Sequence, residues 1–338
     1  MIQRFVAAAV SLLAFAGVAQ AGKTLDGVRS RGVVACGVNT SAPGFSSADS
    51  QGRWTGLDID LCRAVAAAVL RDPEKIKVVP LNSQQRFAAL QSGEVDLLAR
   101  NTTWNLTRDA SLGAVFAGIN YYDGQGFMVP AKLKVDSARK LNNVALCVQA
   151  GTSSEKNVAD YFATHGMKYK PVVFDTAEAV QAAFVSGRCQ ALTTDISDLA
   201  GARAKLPNPD DYQVLPDVIS KEPLGPAVRR GDDEWFMIVR WSLFALQEAE
   251  ELDITQASVA SLKTASKNPA VLRFLGVSED VGKLLGLDRE WAARIVAAVG
   301  HYGESFERHL GARTPLGLPR GPNKPWTQGG LMYAPPVR

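Results

Sequence analysis

Two charged side chains of this 338-residue chain, Arg108 and Asp195, lie in segments rich in hydroxyl groups. The hydroxyls around them belong to Thr102, Thr103, Thr152, Ser153 and Thr194. A guanidinium holds a carboxylate through two parallel hydrogen bonds, and a carboxylate suits an ammonium group. The pair therefore predicts a clamp for a zwitterion, with Arg108 for an α-carboxylate and Asp195 for an α-amino group. The alternative is that both residues make structural ion pairs or helix caps.

The segment at 151–155, GTSSE, is typical of a helix N-terminus, whose free N–H groups favour an anion. Metal and hydrolytic chemistry has less support in the sequence. His165, His301 and His309 do not cluster with the cysteines, and the chain has no C-x-x-C spacing. We therefore predict no catalytic residue, no metal site and no cofactor.

The segments that carry these side chains follow an alternation of strand and helix. Strand-like runs cover 32–38, 76–80 and 95–99, while helical spacing covers 57–70 and 83–92. This order predicts an α/β fold, with a mainly parallel sheet flanked by helices. Loops at the carboxyl ends of such strands face the crevice that binds ligands. Here those loops are 39–45, 100–108, 151–154 and 193–195.

An internal echo indicates that the α/β unit occurs twice. Residues 88–103, AALQSGEVDLLARNTT, resemble residues 182–194, AAFVSGRCQALTT. A second pair sets VVACGVNTS at 33–41 against VALCVQAGT at 144–152. Two similar units predict two lobes. The alternative is chance similarity between common strand–helix units.

The first 21 residues have the pattern of a secretory signal peptide. Arg4 gives a positive start, 5–18 is apolar, and Ala19-Gln20-Ala21 is an A-x-A cleavage site. The alternative is a buried N-terminal helix. No lipobox cysteine precedes Ala21, so we expect a free periplasmic protein. The remaining length suits about two domains, and a net charge of +3 without a basic run argues against nucleic acid as a partner.

The four cysteines divide evenly between the two units. An even number in an oxidising compartment favours disulfides, and three connectivities are open. Cys36 and Cys62 fall in the first unit, whereas Cys147 and Cys189 fall in the second. A bond between lobes would oppose hinge motion, so we predict Cys36–Cys62 and Cys147–Cys189.

Two extended segments, 121–127 and 219–228, are typical of crossings between lobes, and we expect them to form a paired hinge. They divide the mature chain into lobe 1 at 22–124, lobe 2 at 125–222, and a return to lobe 1 at 223–338. The return is helical from about 232 to 310, with an amphipathic stretch at 235–252. The Pro/Gly-rich tail from Thr314 is either an ordered surface strap or a loose terminus.

Several longer stretches carry a resemblance to a known family. They are GLDIDLCRAVA, SGEVDLLARNTTWNLTRDASLGAVFAGINYYDGQGFMV, QAGTSSEKNVADYF, SGRCQALTTDISDL and ISKEPLGPAV. Together they resemble the type II periplasmic binding proteins for amino acids, which are the solute receptors of ATP-driven importers. The resemblance covers essentially the whole mature chain. The length, the NYYDGQGFMV segment and the GLMYAPPVR end are most similar to the general L-amino-acid-binding proteins.

The resemblance implies a two-lobe fold and a role for the charged pair in ligand binding. Arg108 would anchor the α-carboxylate, with Thr103 and Asn101 beside it. Asp195 would bind the α-ammonium group from lobe 2. The same family pattern implies four further ligand contacts, two to the α-carboxylate and two to the side chain.

Ser153 and Thr152 would add carboxylate contacts from lobe 2. Ser83 and Arg86 match a Ser-x-x-Arg turn found in relatives that take acidic amino acids, which implies contacts to a side-chain carbonyl or carboxylate. The alternative for Arg86 is a helix-surface arginine. The aromatic wall of lysine and arginine receptors is not evident here, and Phe45 would replace it only in part. The pattern therefore favours Glu, Gln, Asp, Asn or a broad range.

The implied protein is a monomeric receptor that closes on an L-amino acid and docks on an inner-membrane ABC permease. An enzyme on the same fold, such as a dehydratase of cyclic carboxylates, is the alternative. Asp195, Glu155 or Glu222 would then supply the general acid or base. A sensor module is less favoured, because the chain shows no span or fused output domain.

Overall fold

The computed structural model describes residues 23–338, and the predicted signal peptide at 1–21 lies outside them. These residues form two five-stranded sheets and two short two-stranded sheets. The strands, in chain order, are β1 Val34–Asn39, β2 Ser47–Ala48, β3 Trp54–Thr55, β4 Ile76–Leu81, β5 Leu97–Leu98, β6 Ala114–Phe116, β7 Tyr121–Asp123, β8 Gln125–Pro130, β9 Val144–Gln149, β10 Tyr169–Phe174, β11 Ala191–Asp195, β12 Tyr212–Val214, β13 Glu222–Leu224 and β14 Ala227–Arg229.

Helices pack around both large sheets. In chain order they are α1 Lys23–Arg31, α2 Leu57–Leu70, α3 Arg86–Ser92, α4 Leu106–Ser111, α5 Ser153–Thr164, α6 Ala177–Val185, α7 Ile196–Ala204, α8 Asp233–Glu251, α9 Val259–Ala265, α10 Pro269–Phe274, α11 Trp291–Val299 and α12 Tyr302–His309. Short 3₁₀ turns occupy Ala131–Leu133, Ala138–Lys140, Pro209–Asp211, Gly282–Leu285, Gly321–Asn323 and Trp326–Gln328.

The two large sheets have the same topology, as the internal echo predicts. The first has the order β4-β1-β5-β14-β6 and the second has the order β10-β9-β11-β8-β12. In each, three strands are parallel neighbours and one strand, β14 or β8, runs opposite to the other four. The predicted fold of two lobes, each built on a mainly parallel sheet, is confirmed.

The reversed strand of each sheet is the strand that the chain enters from the hinge. β7 leads into β8 of the second sheet, and β13 leads into β14 of the first. Between the lobes β7 and β13 pair antiparallel, with Glu222 opposite Asp123 and Leu224 opposite Tyr121. The predicted two-segment hinge is therefore present. Because both strands cross at one place, a rotation of one lobe relative to the other would need backbone changes only there.

The helical prediction for 83–92 was too long at its start. Residues 83–85 form a turn, and α3 begins at Arg86. The Asn82 side chain explains the difference, because its Oδ1 accepts from the N–H groups of Gln84 and Gln85 and stabilises the turn. The turn places Ser83 beside the carboxyl end of β4. The prediction for 57–70 agrees with α2.

The tail is an ordered strap rather than a loose terminus. Asn323 donates to the carbonyl of Tyr122 and accepts from its N–H, at 3.1 and 2.7 Å. Near the end, the N–H of Val337 donates to Glu248 at 2.7 Å. The strap therefore connects the hinge strand β7 to α8. The α8–α12 region otherwise matches the predicted helical return.

Each lobe carries one disulfide. Cys36 on β1 bonds Cys62 on α2, and Cys147 on β9 bonds Cys189 just before β11. These are the two predicted pairs. Neither bond connects the two sheets, so neither disulfide opposes a rotation of one lobe relative to the other. Within residues 23–338 no helix combines the length and apolar character needed to cross a membrane.

Candidate functional site

A cleft lies between the lobes, at the carboxyl ends of the central strands of both sheets. Its lining includes every residue predicted to contact a ligand: Ser83, Arg86, Asn101, Thr103, Arg108, Thr152, Ser153 and Asp195. The lining also includes Asn39, Arg100, Gln149, Ser154, Thr194 and Asp198, which the site prediction did not contain. The structure thus brings the predicted residues of both lobes to one place.

Arg108 is buried in the wall that lobe 1 contributes. Asn105 caps α4 by accepting from the N–H of Arg108 at 3.0 Å, which fixes the start of the helix. One guanidinium nitrogen donates to the carbonyl of Thr103 at 2.8 Å. The guanidinium also lies 5.9 Å from the centre of the Phe87 ring. Arg108 is therefore held in position by lobe 1, with N–H donors remaining for a carboxylate.

Asp195 ends β11 and lies opposite Arg108 on lobe 2. It stands at the N-cap position of α7, but its side chain caps no N–H group. Burial raises the pKa of Asp195 well above its usual range, and the carboxylates of Asp123 and Asp198 raise it further. Arg108 acts in the opposite direction. A cation placed beside Asp195 would remove much of this unfavourable burial of negative charge.

Arg86 is buried, which excludes the helix-surface alternative. Its guanidinium donates to the Thr102 hydroxyl at 3.3 Å and, across the cleft, to the carbonyl of Gly151 at 3.1 Å. None of the described residues, 23–338, gives its Nε a hydrogen-bond partner. Burial lowers the pKa of Arg86 strongly, and the neighbouring cations Arg100 and Arg108 lower it further. An unpaired donor and three crowded cations favour an anionic or carbonyl group at this point.

Ser83 is positioned by Arg100, which the site prediction omitted. Arg100 donates to the Ser83 hydroxyl at 3.1 Å and to the carbonyl of Leu81 at 3.0 Å. Since Ser83 accepts this bond, its own proton is free to donate to a ligand. Burial lowers the pKa of Arg100 to about 10, so it remains a cation at neutral pH.

The side chain of Asn101 makes a hydrogen bond from lobe 1 to lobe 2, in addition to lining the cleft. Its backbone adopts a positive φ of 38° and its N–H donates to Asp58 at 2.7 Å. Its side-chain amide accepts from Asn39 and donates to Asp198 of lobe 2 at 3.2 Å. Burial raises the pKa of Asp58 to about 6. Through its bond to the N–H of Asn101, Asp58 holds the loop that contains both Asn101 and Thr103.

Glu222 of the hinge strand β13 is the main functional residue that the site prediction missed, although it was named as an alternative acid or base. Its Oε2 accepts from the hydroxyls of Thr103 in lobe 1 and Ser153 in lobe 2, at 2.7 and 2.8 Å. Its Oε1 accepts from Asn157 at 2.6 Å and from Ser220. One hinge carboxylate thus binds both lobes. The two hydroxyls give their protons to it and present lone pairs to the cleft.

The N-terminus of α5 reaches the cleft, as the sequence predicts. Thr152 is its cap, accepting from the N–H of Glu155 and donating to the carbonyl of Gln149 at 2.7 Å. The single proton of the Thr152 hydroxyl is therefore donated inside lobe 2. A carboxylate would instead meet the N–H groups of the first helical turn.

Phe45 does not contribute to the cleft wall. It is fully buried and packs edge-on against Tyr121, with ring centres 5.1 Å apart. The prediction that Phe45 supplies a partial aromatic surface to the cleft is therefore wrong. Among residues 23–338, no group of three or more His, Cys, Asp or Glu side chains has the geometry of a metal site.

The chain is similar to known proteins over most of its length. A model of the bacterial extracellular solute-binding proteins, family 3, matches residues 34–258. The general L-amino acid-binding periplasmic protein AapJ of Rhizobium johnstonii is 51% identical over 342 residues, covering 100% of both chains. The glutamate/glutamine/aspartate/asparagine-binding protein BztA of Rhodobacter capsulatus is 51% identical over 330 residues, covering 97% of each.

A solved structure is similar over nearly the whole chain. It is an ABC transporter periplasmic binding protein from Brucella ovis with glutathione bound. The two chains are 53% identical and superpose with a TM-score of 0.91, covering 93% of this chain and 99% of that one.

Proposed function

The chain belongs to the bacterial extracellular solute-binding proteins of family 3, and from this premise we propose that it is a periplasmic receptor for L-amino acids. The observation that carries the proposal is the interlobe cleft, where Arg108 and Asp195 oppose each other across a space lined by both lobes. A free α-carboxylate and a free α-ammonium group would neutralise them together. The names of AapJ and BztA support the same ligand class.

The proposed pose places the ligand's α-carboxylate between Arg108 and the N-terminus of α5. The α-ammonium group meets Asp195 and the oxygen atoms of Thr103 and Ser153, whose protons are donated to Glu222. Each partner of the ligand then has the complementary hydrogen-bonding character. This pose assigns the two hydroxyls to the ammonium group instead of the carboxylate.

The ligand side chain would extend towards Ser83, Arg86 and Arg100. The unpartnered Nε of Arg86 and the free Ser83 proton are donors for a carboxylate or amide oxygen. We therefore propose that Glu, Gln, Asp and Asn are preferred within a broad range. Glutathione, which is bound in the Brucella structure, also presents a free amino acid head group, because its glutamate is joined through the side chain.

Ligand binding would stabilise the closed arrangement through contacts that need both lobes. Arg86 to Gly151 and Asn101 to Asp198 already join them directly. Moving an equilibrium from mostly open to mostly closed requires about 5.5 kcal/mol of differential contact. Two desolvated charge-assisted pairs are large enough to provide this amount.

The same proposal includes lobe boundaries after residues 124 and 222, next to the paired hinge strands. It also includes export after a signal peptide, a monomeric state and delivery of the ligand to an ABC permease of the inner membrane. A catalytic role is not favoured. The relatives named above are binding proteins, and Glu222, one candidate acid or base, already accepts four hydrogen bonds within the protein.

Thermal unfolding of refolded, ligand-stripped protein tests the proposal. Each of the twenty L-amino acids would be added at about 1 mM, where a micromolar ligand stabilises by about 4 kcal/mol. We expect shifts from Glu, Gln, Asp or Asn that vanish in Arg108→Ala and persist in Arg53→Ala, which removes an exposed lobe 1 arginine. No shift from any amino acid would reject the receptor, and turnover of cyclic carboxylates would then be measured.

A further inference from the structure

A glycine on α7 lets the two lobes approach closely at a point outside the cleft. Gly201 is buried on α7 of lobe 2, about 9 Å along the helix axis from Asp195. A Cβ atom on Gly201 would lie 3.0–3.2 Å from three ring carbons of Pro43 in lobe 1. Apart from the adjoining residues of α7, these carbons would be its nearest neighbours. Both residues lie outside the lining of the cleft, so the lobes meet here through a contact that a ligand does not share.

The turn that carries Pro43 has little freedom to yield. It is closed by two backbone hydrogen bonds between Ala42 and Ser46, at 2.9 and 2.8 Å. Behind it, a Cβ atom on Gly44 would collide with the side chain of Leu310, so the turn packs directly on the body of lobe 1. The proline ring itself has a fixed shape. A side chain added to α7 at this point can therefore be accommodated only if the lobes move apart.

Two polar pairs flank the glycine contact. Lys205, at the end of α7, donates to the Ser41 hydroxyl at 2.8 Å, and Thr40 donates to Glu178 of α6 at 3.3 Å. We call these contacts between residues 40–43 and the helices α6 and α7 the interlobe latch. Both polar pairs are exposed, and exposed pairs contribute little free energy. The steric fit of the glycine against the proline ring therefore decides how closely the latch shuts.

We propose that Gly201 and Pro43 are positioning residues, which set the affinity of the receptor for every ligand by setting the free energy of lobe closure. The inference rests on the proposed function, because it needs a ligand that binds between the lobes. When only the closed protein holds the ligand, the apparent Kd equals the intrinsic Kd divided by the closed fraction. A substitution that opposes closure therefore multiplies every Kd by the same factor, whatever the ligand side chain.

Calorimetric titration of the ligand-stripped full chain with L-glutamate and L-glutamine tests the proposal. Gly201→Ala should raise both Kd values about fivefold, because it forces a close contact with the ring of Pro43. Gly201→Leu adds more bulk at the same place and should raise both by up to about 150-fold. The ratio of the two Kd values should stay within about twofold of the parent ratio, since closure is common to both ligands.

The stability of the ligand-free protein should change in the opposite direction. Alanine is favoured over glycine inside a helix, so Gly201→Ala should raise the melting temperature by about 1–2 °C while it weakens binding. Gly27→Ala is the matched control, because Gly27 lies inside α1 of lobe 1 and an added Cβ would meet the flexible side chain of Arg31. This control should raise the melting temperature similarly and leave both Kd values within about twofold of the parent values.

Pro43→Gly removes the ring from the other side of the contact and should rescue the alanine variant. Gly201→Ala made in the Pro43→Gly background should raise either Kd by less than about twofold. A loss of affinity that persists in full in this background overturns the latch. An unchanged Kd for Gly201→Leu, or a loss that differs between glutamate and glutamine, also overturns it and leaves the amino acid receptor standing. Failure of both amino acids to bind the parent chain rejects the receptor itself, and the latch with it.

Discussion

Replacing Asp195 by asparagine should weaken ligand binding and at the same time stabilise the ligand-free protein. In the proposed complex Asp195 pairs with the ligand's ammonium group in a desolvated cleft. Removing one partner of such a pair costs about 2–5 kcal/mol, which is about 30- to 5,000-fold in Kd. Asparagine has nearly the same volume, so the loss should come from charge and not from a cavity.

The stabilisation follows from the surroundings of Asp195. Burial, together with Asp123, Asp198 and Glu222, raises the pKa of Asp195 in the folded protein. The folded state therefore binds a proton that the unfolded chain releases above its ordinary pKa of 3.8. Stability is present below that pH and is lost as pH rises towards neutrality. Asparagine does not titrate, so the Asp195→Asn variant should be more stable than the parent protein at pH 7.5. This difference in stability should disappear near pH 4.

Asp60→Asn is the matched control with the opposite sign. The bonds of Asp60 with His309, Arg308 and Ser305 outweigh its burial, and the pKa of Asp60 is lowered. The Asp60 carboxylate therefore stabilises the folded protein above pH 3.8, and this stabilisation is lost on acidification. Removing this charged acceptor should cost about 1–3 kcal/mol at pH 7.5.

Melting temperatures are measured for the ligand-free parent protein and the Asp195→Asn and Asp60→Asn variants at pH 4 and 7.5. They show whether each substitution stabilises or destabilises the folded protein. Each 1 kcal/mol corresponds to about 2 °C in a chain of this size. Calorimetry with L-glutamate or L-glutamine measures the affinity. Destabilisation by Asp195→Asn at pH 7.5 would refute the electrostatic argument, and a Kd within about threefold of the parent value would refute the assignment of the ammonium partner.

Three further changes have distinct expected results. Arg86→Ala should weaken glutamate by about 10- to 150-fold in calorimetry but alanine by less than about threefold; equal losses would show that Arg86 does not contact the side chain. Glu222→Gln should weaken every amino acid about tenfold, because an amide cannot accept from four donors; unchanged affinity would contradict its positioning role. The double variant Cys147→Ser/Cys189→Ser opens a link with a sequence separation of 42 residues. It should lose about 4 kcal/mol in urea unfolding while Kd stays within about twofold.

The sequence predicted the topology well because the same local helix–glycine–strand pattern occurs in both units. Ser92 ends α3 and Gly93 follows it, Ser186-Gly187 follows α6, and both glycines adopt a positive φ near 80°. Each glycine ends a helix and turns the chain into the third strand of its sheet. The same correspondence placed each cysteine pair within one unit.

The residues that fix the site's charge were harder to predict, because their roles arise only where distant segments meet. Arg100 and Asp198 are ordinary members of a strand end and a helix start in the sequence. Their chemistry depends on the approach of Ser83, Asn101 and the other lobe. A signal was nevertheless present for Arg100, which follows a buried strand directly and therefore lies at the crevice edge.

Glu222 shows why the hinge belongs to the site and does not merely connect the lobes. Its backbone lies in β13, paired with β7, while its carboxylate holds Thr103 from one lobe and Ser153 from the other. Rotation of the lobes must change at least one of these bonds. In the proposed pose the same two hydroxyls accept from the ligand's ammonium group, so ligand charge and hinge angle act on one shared set of atoms. Closure and recognition are then coupled locally at the hinge, without a signal that crosses either lobe.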